Sequence, residues 1–122
     1  CAIIASGTIL SNALEAQQLL RKKGIGATVA EIHTLKPIDE VFLLNLARKV
    51  RAVVTVEEHS VIGGLASAVG EVLSAHPGPP VAHVGLKDTF AESGSIPELH
   101  VKYGLDAGAI ARAAEDCLKR AK

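Results

Sequence analysis

A three-layer α/β/α sandwich on a mainly parallel sheet of four strands is the fold class that three features of this sequence predict. Four apolar, β-rich runs alternate with helical patterns. Most of the runs are nearly continuous in apolar character, as expected of parallel strands covered on both faces. The connections are short, and right-handed crossovers then place helices on both sides of the sheet. In the strands' own numbering the expected sheet order is 2-1-3-4. A length of 122 residues suits one domain, able to bury roughly two thirds of its unfolded surface.

The strand runs are AIIAS (2–6), ATVAEIH (27–33), AVVTVEE (52–58) and PVAHVGL (80–86). A first helix is expected from Ile9 to Lys23, with Gly24 as its stop. Asp39, after Pro37, can cap a second helix that carries Val41, Leu44 and Ala47/Arg48 and ends near Val50. The third should open at Gly63-Gly64 and carry Ile62, Leu65, Ala66, Val69, Val72 and Leu73, until the proline-rich run from His76 to Pro80 ends it. Ser95-Ile96-Pro97-Glu98 has capping-box spacing for a short helix toward Tyr103. Asp106 can cap the last helix, whose apolar stripe is Ile110, Ala113, Ala114, Cys117, Leu118 and Ala121, opposite Arg112, Lys119 and Arg120.

Composition narrows the function. Thirteen basic and thirteen acidic residues remove the electrostatic case for nucleic acid or an anionic membrane. Phe42, Phe90 and Tyr103 are too scattered for a base-stacking platform. No apolar run reaches the ~18–20 residues that span a bilayer, and no signal-peptide pattern opens the chain, so a cytoplasmic location is expected. Cys1 and Cys117 have no metal or redox spacing, and Cys117 reads as a small core residue. The chain contains no methionine and begins inside an apolar run, which leads to the expectation of a piece from a longer polypeptide.

In such folds ligands sit beyond the carboxyl ends of the strands where the winding reverses. That point falls between Ser6-Gly7-Thr8 and the stretch Glu57-Glu58-His59-Ser60-Val61-Ile62-Gly63-Gly64. Gly7 and Gly63-Gly64 precede helices whose free N–H groups can hold an anion, but no nucleotide motif is matched and two carboxylates adjoin the loop. Tight turns and close packing account for the glycines more simply. Strand alternation sets Glu57 and His59 on one side and Glu58 on the other, which spoils a paired-carboxylate site and favours a Glu57–His59 hydrogen bond ordering the strand end. His33, His59 and His83 all fall on expected strands. Yet His33 and His59 would lie about 10 Å apart at ~4.8 Å per strand step, too far to share a zinc ion. Ser60 beside His59 lacks a GxSxG setting. Gly63, Gly64, Ala66, Ser67, Ala68 and Gly70 give the third helix a low-bulk surface suited to close approach by another backbone.

CAIIASG (1–7), TLKPID (34–39), VTVEEHSVIGG (54–64) and GLKDTFAESGSIPELHVKY (85–103) together resemble the C-terminal domain of transketolase-type enzymes, and the resemblance covers almost the whole chain. It implies a five-stranded mixed sheet whose antiparallel edge strand would lie upstream of Cys1, leaving four strands here. It also implies a parent enzyme using thiamine diphosphate and Mg²⁺, both held by other domains, with no catalytic, cofactor or metal residue in this chain. Glu57 and Glu58 are then not the cofactor-activating glutamate.

The expected partners are the remaining domains or an N-terminal subunit of the parent, in a homodimer or heterotetramer. Ser6, Gly7, Thr8, Glu57, Glu58, His59, Gly63 and Gly64 are the candidate interface or crevice residues. The leading expectation is an assembly domain of an enzyme that transfers a two-carbon ketol unit between sugar phosphates. Alternatives are the corresponding domain of a deoxyxylulose phosphate synthase or of a 2-oxo acid dehydrogenase beta subunit, or a regulatory small-ligand module.

Overall fold

The computed structural model describes all 122 residues. In chain order the elements are β1 (Ala2–Ser6), α1 (Leu10–Lys22), β2 (Thr28–Glu31), α2 (Glu40–Ala47), β3 (Val53–Ser60), α3 (Leu65–Ser74), β4 (Val81–Leu86), α4 (Ile96–Lys102) and α5 (Ala107–Arg120). The four strands form one parallel sheet in the order β2-β1-β3-β4. The expected fold class and strand order are both present. β1 and β3 are central, with Ala2–Ala5 and Val53–Val56 buried on both faces and Thr55 the one polar residue among them.

Alternation along the strands divides the interior into two cores. Ile3, Ala5, Val54 and Val56 face α1 and α5, where Ile9, Leu20, Ile110 and Cys117 complete the larger core. Ala2, Ile4 and Val53 face α2 and α3, against Leu43, Leu65, Val69 and Leu73. Alanines at 107, 111 and 114 bring α5 close to the sheet, and Cys117 is fully buried with its thiol over the start of β3 and β4.

Several element boundaries differ from the sequence reading, each for a physical reason. β2 is an edge strand that pairs only along Ala2–Ala5 of β1, so it stops at Glu31 and His33 lies beyond it. β3 runs on to Ser60 and takes the whole Glu57-to-Ser60 stretch into the strand. In α2 the buried residues are Leu43 and Ala47, while Val41 is 71% exposed. Its eight-residue sequence is apolar nearly all round, so periodicity alone had no unique stripe to choose. Ile62 precedes α3 and is exposed, because Gly63 turns the chain at φ +79° and Gly64 becomes the N-cap. Asp39 and Asp106 cap as expected, accepting from Phe42 N–H and Ala109 N–H. Ser95 stands at the N-cap of the expected short helix but makes no side-chain cap hydrogen bond; its hydroxyl donates to Glu98 Oε2 at 2.7 Å.

The balanced charge conceals a polar distribution. The crossover helices α1–α3 run opposite to the strands, and α5 ends beside the amino ends of β3 and β4, where Arg120 reaches the Val81 carbonyl. Arg21, Lys22 and Lys23 close α1, Arg48, Lys49 and Arg51 follow α2, and Lys119, Arg120 and Lys122 close α5. Nine of the thirteen basic residues therefore gather at the amino end of the sheet. Glu31, Asp39, Glu40, Glu57, Glu58, Asp88, Glu92, Glu98 and Asp106 gather at the carboxyl end, nine of the thirteen acidic residues. Helix dipoles favour this sorting, since each helix prefers acids at its start and bases at its finish.

Truncating Ile110, fully buried between α5 and the sheet, should cost about 2–5 kcal/mol as Ile110→Ala. Val41→Ala should stay within about 0.5 kcal/mol. Urea unfolding of the two variants checks the contrast, and equal losses would contradict the observed helix faces.

Candidate functional site

All eight candidate residues converge on one crevice of 380 Å³ at the carboxyl end of β1 and β3, together with Leu35 and Leu65. Ser6 pairs in register with Glu57, and Gly7, at φ +83°, turns the chain from β1 toward α1. Between Val56 and Ser60 the β3–β4 register shifts, with four residue steps on β3 against two on β4. The candidate stretch is thus a bulged strand end, a device that re-aims side chains.

Glu57 points into the α2/α3 layer and is 3% exposed. Its Oε2 accepts from Leu65 N–H at 2.7 Å and its Oε1 from Ala66 N–H at 2.9 Å. These are two of the four N–H groups that the first turn of a helix leaves without an intrahelical partner. A buried carboxylate is costly unless its oxygens are satisfied, and hydrogen bonds to a charged group contribute about 1.5–3 kcal/mol each. Two such bonds at the positive end of a helix supply the compensation that one would not.

Gly64 and Gly85 make the space. A Cβ at Gly64 would overlap Glu57 Oε2 and lie 2.9 Å from His59 Nδ1. One at Gly85 would lie 2.8 Å from Val61 Cγ1 and 2.9 Å from the His59 carbonyl. The glycine pair divides its work: Gly63 supplies the positive φ and Gly64 the cavity for a carboxylate.

The expected Glu57–His59 hydrogen bond is not formed. His59 Nδ1 lies 3.9 Å from Glu57 Oε2, too long for one, and donates instead to the Ser60 carbonyl at 2.8 Å. Ser60 Oγ accepts from Ile62 N–H, so the hydroxyl shapes the loop. The other two histidines weighed with His59 as a metal site have separate partners, His33 with Thr34 Oγ1 and His83 with Thr55 Oγ1. Burial holds the His83 imidazole below its ordinary pKa, with Glu57 opposing and Arg120 assisting.

Glu58 points to the opposite face, as alternation requires, and enters a network that the sequence did not reveal. The Thr8 hydroxyl donates to Glu58 Oε2, and His100 Nε2 lies 2.5 Å from Oε1. Asn12 Nδ2 donates to the Leu105 carbonyl and reaches His100 Nδ1, both at 2.9 Å. An amide donor at Nδ1 makes that nitrogen the acceptor and puts the imidazole proton on Nε2, facing Glu58. The chain of contacts joins α1, β3 and α4. It borders a second groove of 520 Å³ that includes Thr8, Asn12, Glu58, Ile96, His100 and Asp106. Above all the Thr8 hydrogen bond holds the Glu58 carboxyl below its ordinary value; partial burial opposes this and the His100 contact adds to it.

Neither side of the crevice fits a magnesium-bound diphosphate. The first N–H groups of α3 are already taken by Glu57, Glu57 and Glu58 would repel a polyanion, and no three His, Cys, Asp or Glu side chains are arranged to hold a metal ion.

Comparison with known proteins gives a consistent picture. The family described as "Transketolase, C-terminal domain" matches residues 1–110. The chain is 45% identical over 118 residues to a 6-deoxy-6-sulfo-D-fructose transketolase subunit of Clostridium sp., covering 97% of this chain and 37% of that protein. It is 48% identical over 112 residues to a 1-deoxy-D-xylulose-5-phosphate synthase of Methylococcus capsulatus, covering 91% of this chain and 17% of that protein. Among solved structures, a split-gene transketolase described as an inactive beta4 tetramer superposes with a TM-score of 0.90 at 46% identity. That match covers 99% of this chain and 39% of the other. A transketolase from Pichia stipitis, 22% identical with a TM-score of 0.68 over 97% of this chain and 16% of that one, shares the fold. The chain thus spans well under half the length of these relatives.

Two tests follow from this geometry. Gly64→Ala should destabilise by about 1–3 kcal/mol through overpacking. Combined with Glu57→Ala it should lose less than the sum, because the second change removes the obstructing carboxylate. Strict additivity in urea unfolding would contradict the shared cavity. Glu58 is stabilised as the carboxylate in the folded state, so its contribution is full above its unfolded pKa and fades as pH falls through the lower folded one. Thr8→Val should raise the Glu58 titration midpoint, followed by carbon-detected NMR, and flatten the acid-side loss of stability; an unmoved midpoint would rule out the hydroxyl as the main cause.

Proposed function

Because the chain belongs to the transketolase C-terminal domain family, we propose that it is the assembly domain of a thiamine diphosphate-dependent transketolase-type enzyme. The parent enzyme, on this reading, transfers a two-carbon ketol unit between sugar phosphates, and the chemistry belongs to polypeptide beyond these 122 residues. One observation carries the proposal: the helix N-terminus at the expected ligand position is filled by the protein's own Glu57. A domain that occupies its best anion site with its own carboxylate is built to be held in shape and to hold others. The partners are the remaining domains or a companion subunit, and Thr8, Glu58, His59 and the Gly63–Gly64 loop border the contact. Ser67, Ala68 and Gly70 remain half-exposed on α3, with open space over Gly70, so part of the low-bulk helix surface is also available.

The near-equal identity to a deoxyxylulose phosphate synthase favours a second reading, in which the same domain serves that reaction. Product analysis of the parent separates the two. The 122-residue chain, supplied with thiamine diphosphate and Mg²⁺, should show no ketol transfer, and addition of the companion polypeptide should restore it. Turnover by the chain alone would overturn the assembly reading.

A further inference from the structure

The apolar surface of this domain is distributed as unevenly as its charge. Of the eight large apolar side chains left exposed, Leu35, Val41, Phe42, Ile62, Phe90 and Ile96 all lie in a connection after a strand or in the first turn of the helix that follows. Such connections lie at the carboxyl end of a parallel sheet. The amino-end connections at 23–27, 48–52 and 75–80 contribute none. Residues 87–98 form an excursion in which every residue is exposed, with Phe90 fully so. That excursion has no core of its own. It is tethered by Glu92 N–H to the Tyr103 hydroxyl and by Lys102 to the Glu92 carboxylate, and α4, into whose first turn it runs, is held by His100 to Glu58. Ordering a dozen exposed residues costs conformational entropy that these few polar contacts barely offset. A concentration of exposed large side chains with a polar rim marks an interaction surface.

We propose that the carboxyl end of the sheet is the docking face for the polypeptide that accompanies this domain in its relatives, and that the counterpart surface is apolar with a basic rim. The inference rests on the assembly reading above and adds the face and the chemistry of the partner. Length supports the occupant, since the domain is 37% and 39% of the subunits that it matches along nearly its full length. Charge supports it too. The face carries Asp88 and Glu98 beside Glu58, against Lys36 and Lys87 and with Glu92 paired to Lys102, so a second copy presenting the same face would still set one acidic excess against another. A second copy presenting its basic amino end would offer no large exposed apolar side chain. Repeated head to tail, that contact would give an open assembly unless its rotation closed into a ring.

The test compares hydrogen–deuterium exchange in this chain alone and in the whole subunit that contains it. Residues 35–42, 60–64 and 87–96 should exchange about tenfold or more slowly in the whole subunit, while 23–26, 48–52 and 75–80 stay unchanged. The double substitution Ile62→Glu/Phe90→Glu should abolish that slowing and leave the melting temperature of the isolated chain unaltered. Slowing confined to the amino end would overturn the choice of face and leave the assembly reading standing; no slowing anywhere would overturn both. Slowing retained in the double variant would refute the apolar docking surface. Slowing in the isolated chain that grows with concentration would give the face to a second copy and overturn the proposed partner.

Discussion

The Glu57 carboxylate seated on the first two N–H groups of α3 is the constraint around which the strand ends are arranged. It ties the central strand to the helix packed on one face of the sheet, across only eight residues of chain. Burial makes the arrangement strict, because a desolvated carboxylate with one partner is a liability and with two is a fastening. Its volume then requires glycine at 64, where a Cβ would overlap Oε2, while Gly85 makes room chiefly for Val61 and the His59 carbonyl of the same strand end. The start of α3 and the glycine at 64 are therefore parts of one device.

The same strand end serves both faces of the sheet. Glu57 looks toward α3 and is sealed, whereas its neighbour Glu58 looks toward α1, α4 and α5 and stays half-exposed among Thr8, His100 and Asn12. The inner carboxylate holds the fold, and the outer one anchors α4 and the exposed excursion before it. Charge sorting by helix direction leaves the molecule neutral overall and polarised end to end. The acidic, apolar end is the one where the crevice opens, so one surface combines candidate residues, exposed apolar side chains and unbalanced charge.

Much of this was legible in the sequence, for identifiable reasons. Near-continuous runs such as AVVTV announced parallel buried strands, and short connections announced the sheet order. Asp39 and Asp106 were readable as caps because capping is local. Strand alternation alone sets Glu57 and Glu58 on opposite faces. What could not be read depends on contacts distant in sequence. Nothing in SIPELHVKY indicates that His100 meets Glu58, forty-two positions earlier, or that Asn12 fixes its tautomer. Alternation sets Glu57 and His59 on one side, where they lie 3.9 Å apart, but it cannot tell that His59 Nδ1 donates to the adjacent Ser60 carbonyl instead. Ile62 was placed on α3 because an apolar residue before a glycine pair fits helical spacing until Gly63 takes a positive φ. The polarity of charge was invisible in a net charge of zero.

The central claim is that this domain lends position and shape to chemistry performed by other residues. Its most direct test is single-turnover kinetics of the assembled parent enzyme carrying Thr8→Val, Glu58→Gln and His59→Ala together, normalised to the assembled fraction. The account predicts a chemical step within about twofold of the unsubstituted enzyme, with any loss confined to assembly. A fall of about 100-fold or more in the chemical step, with assembly and cofactor affinity intact, would place catalytic groups in this crevice and contradict it.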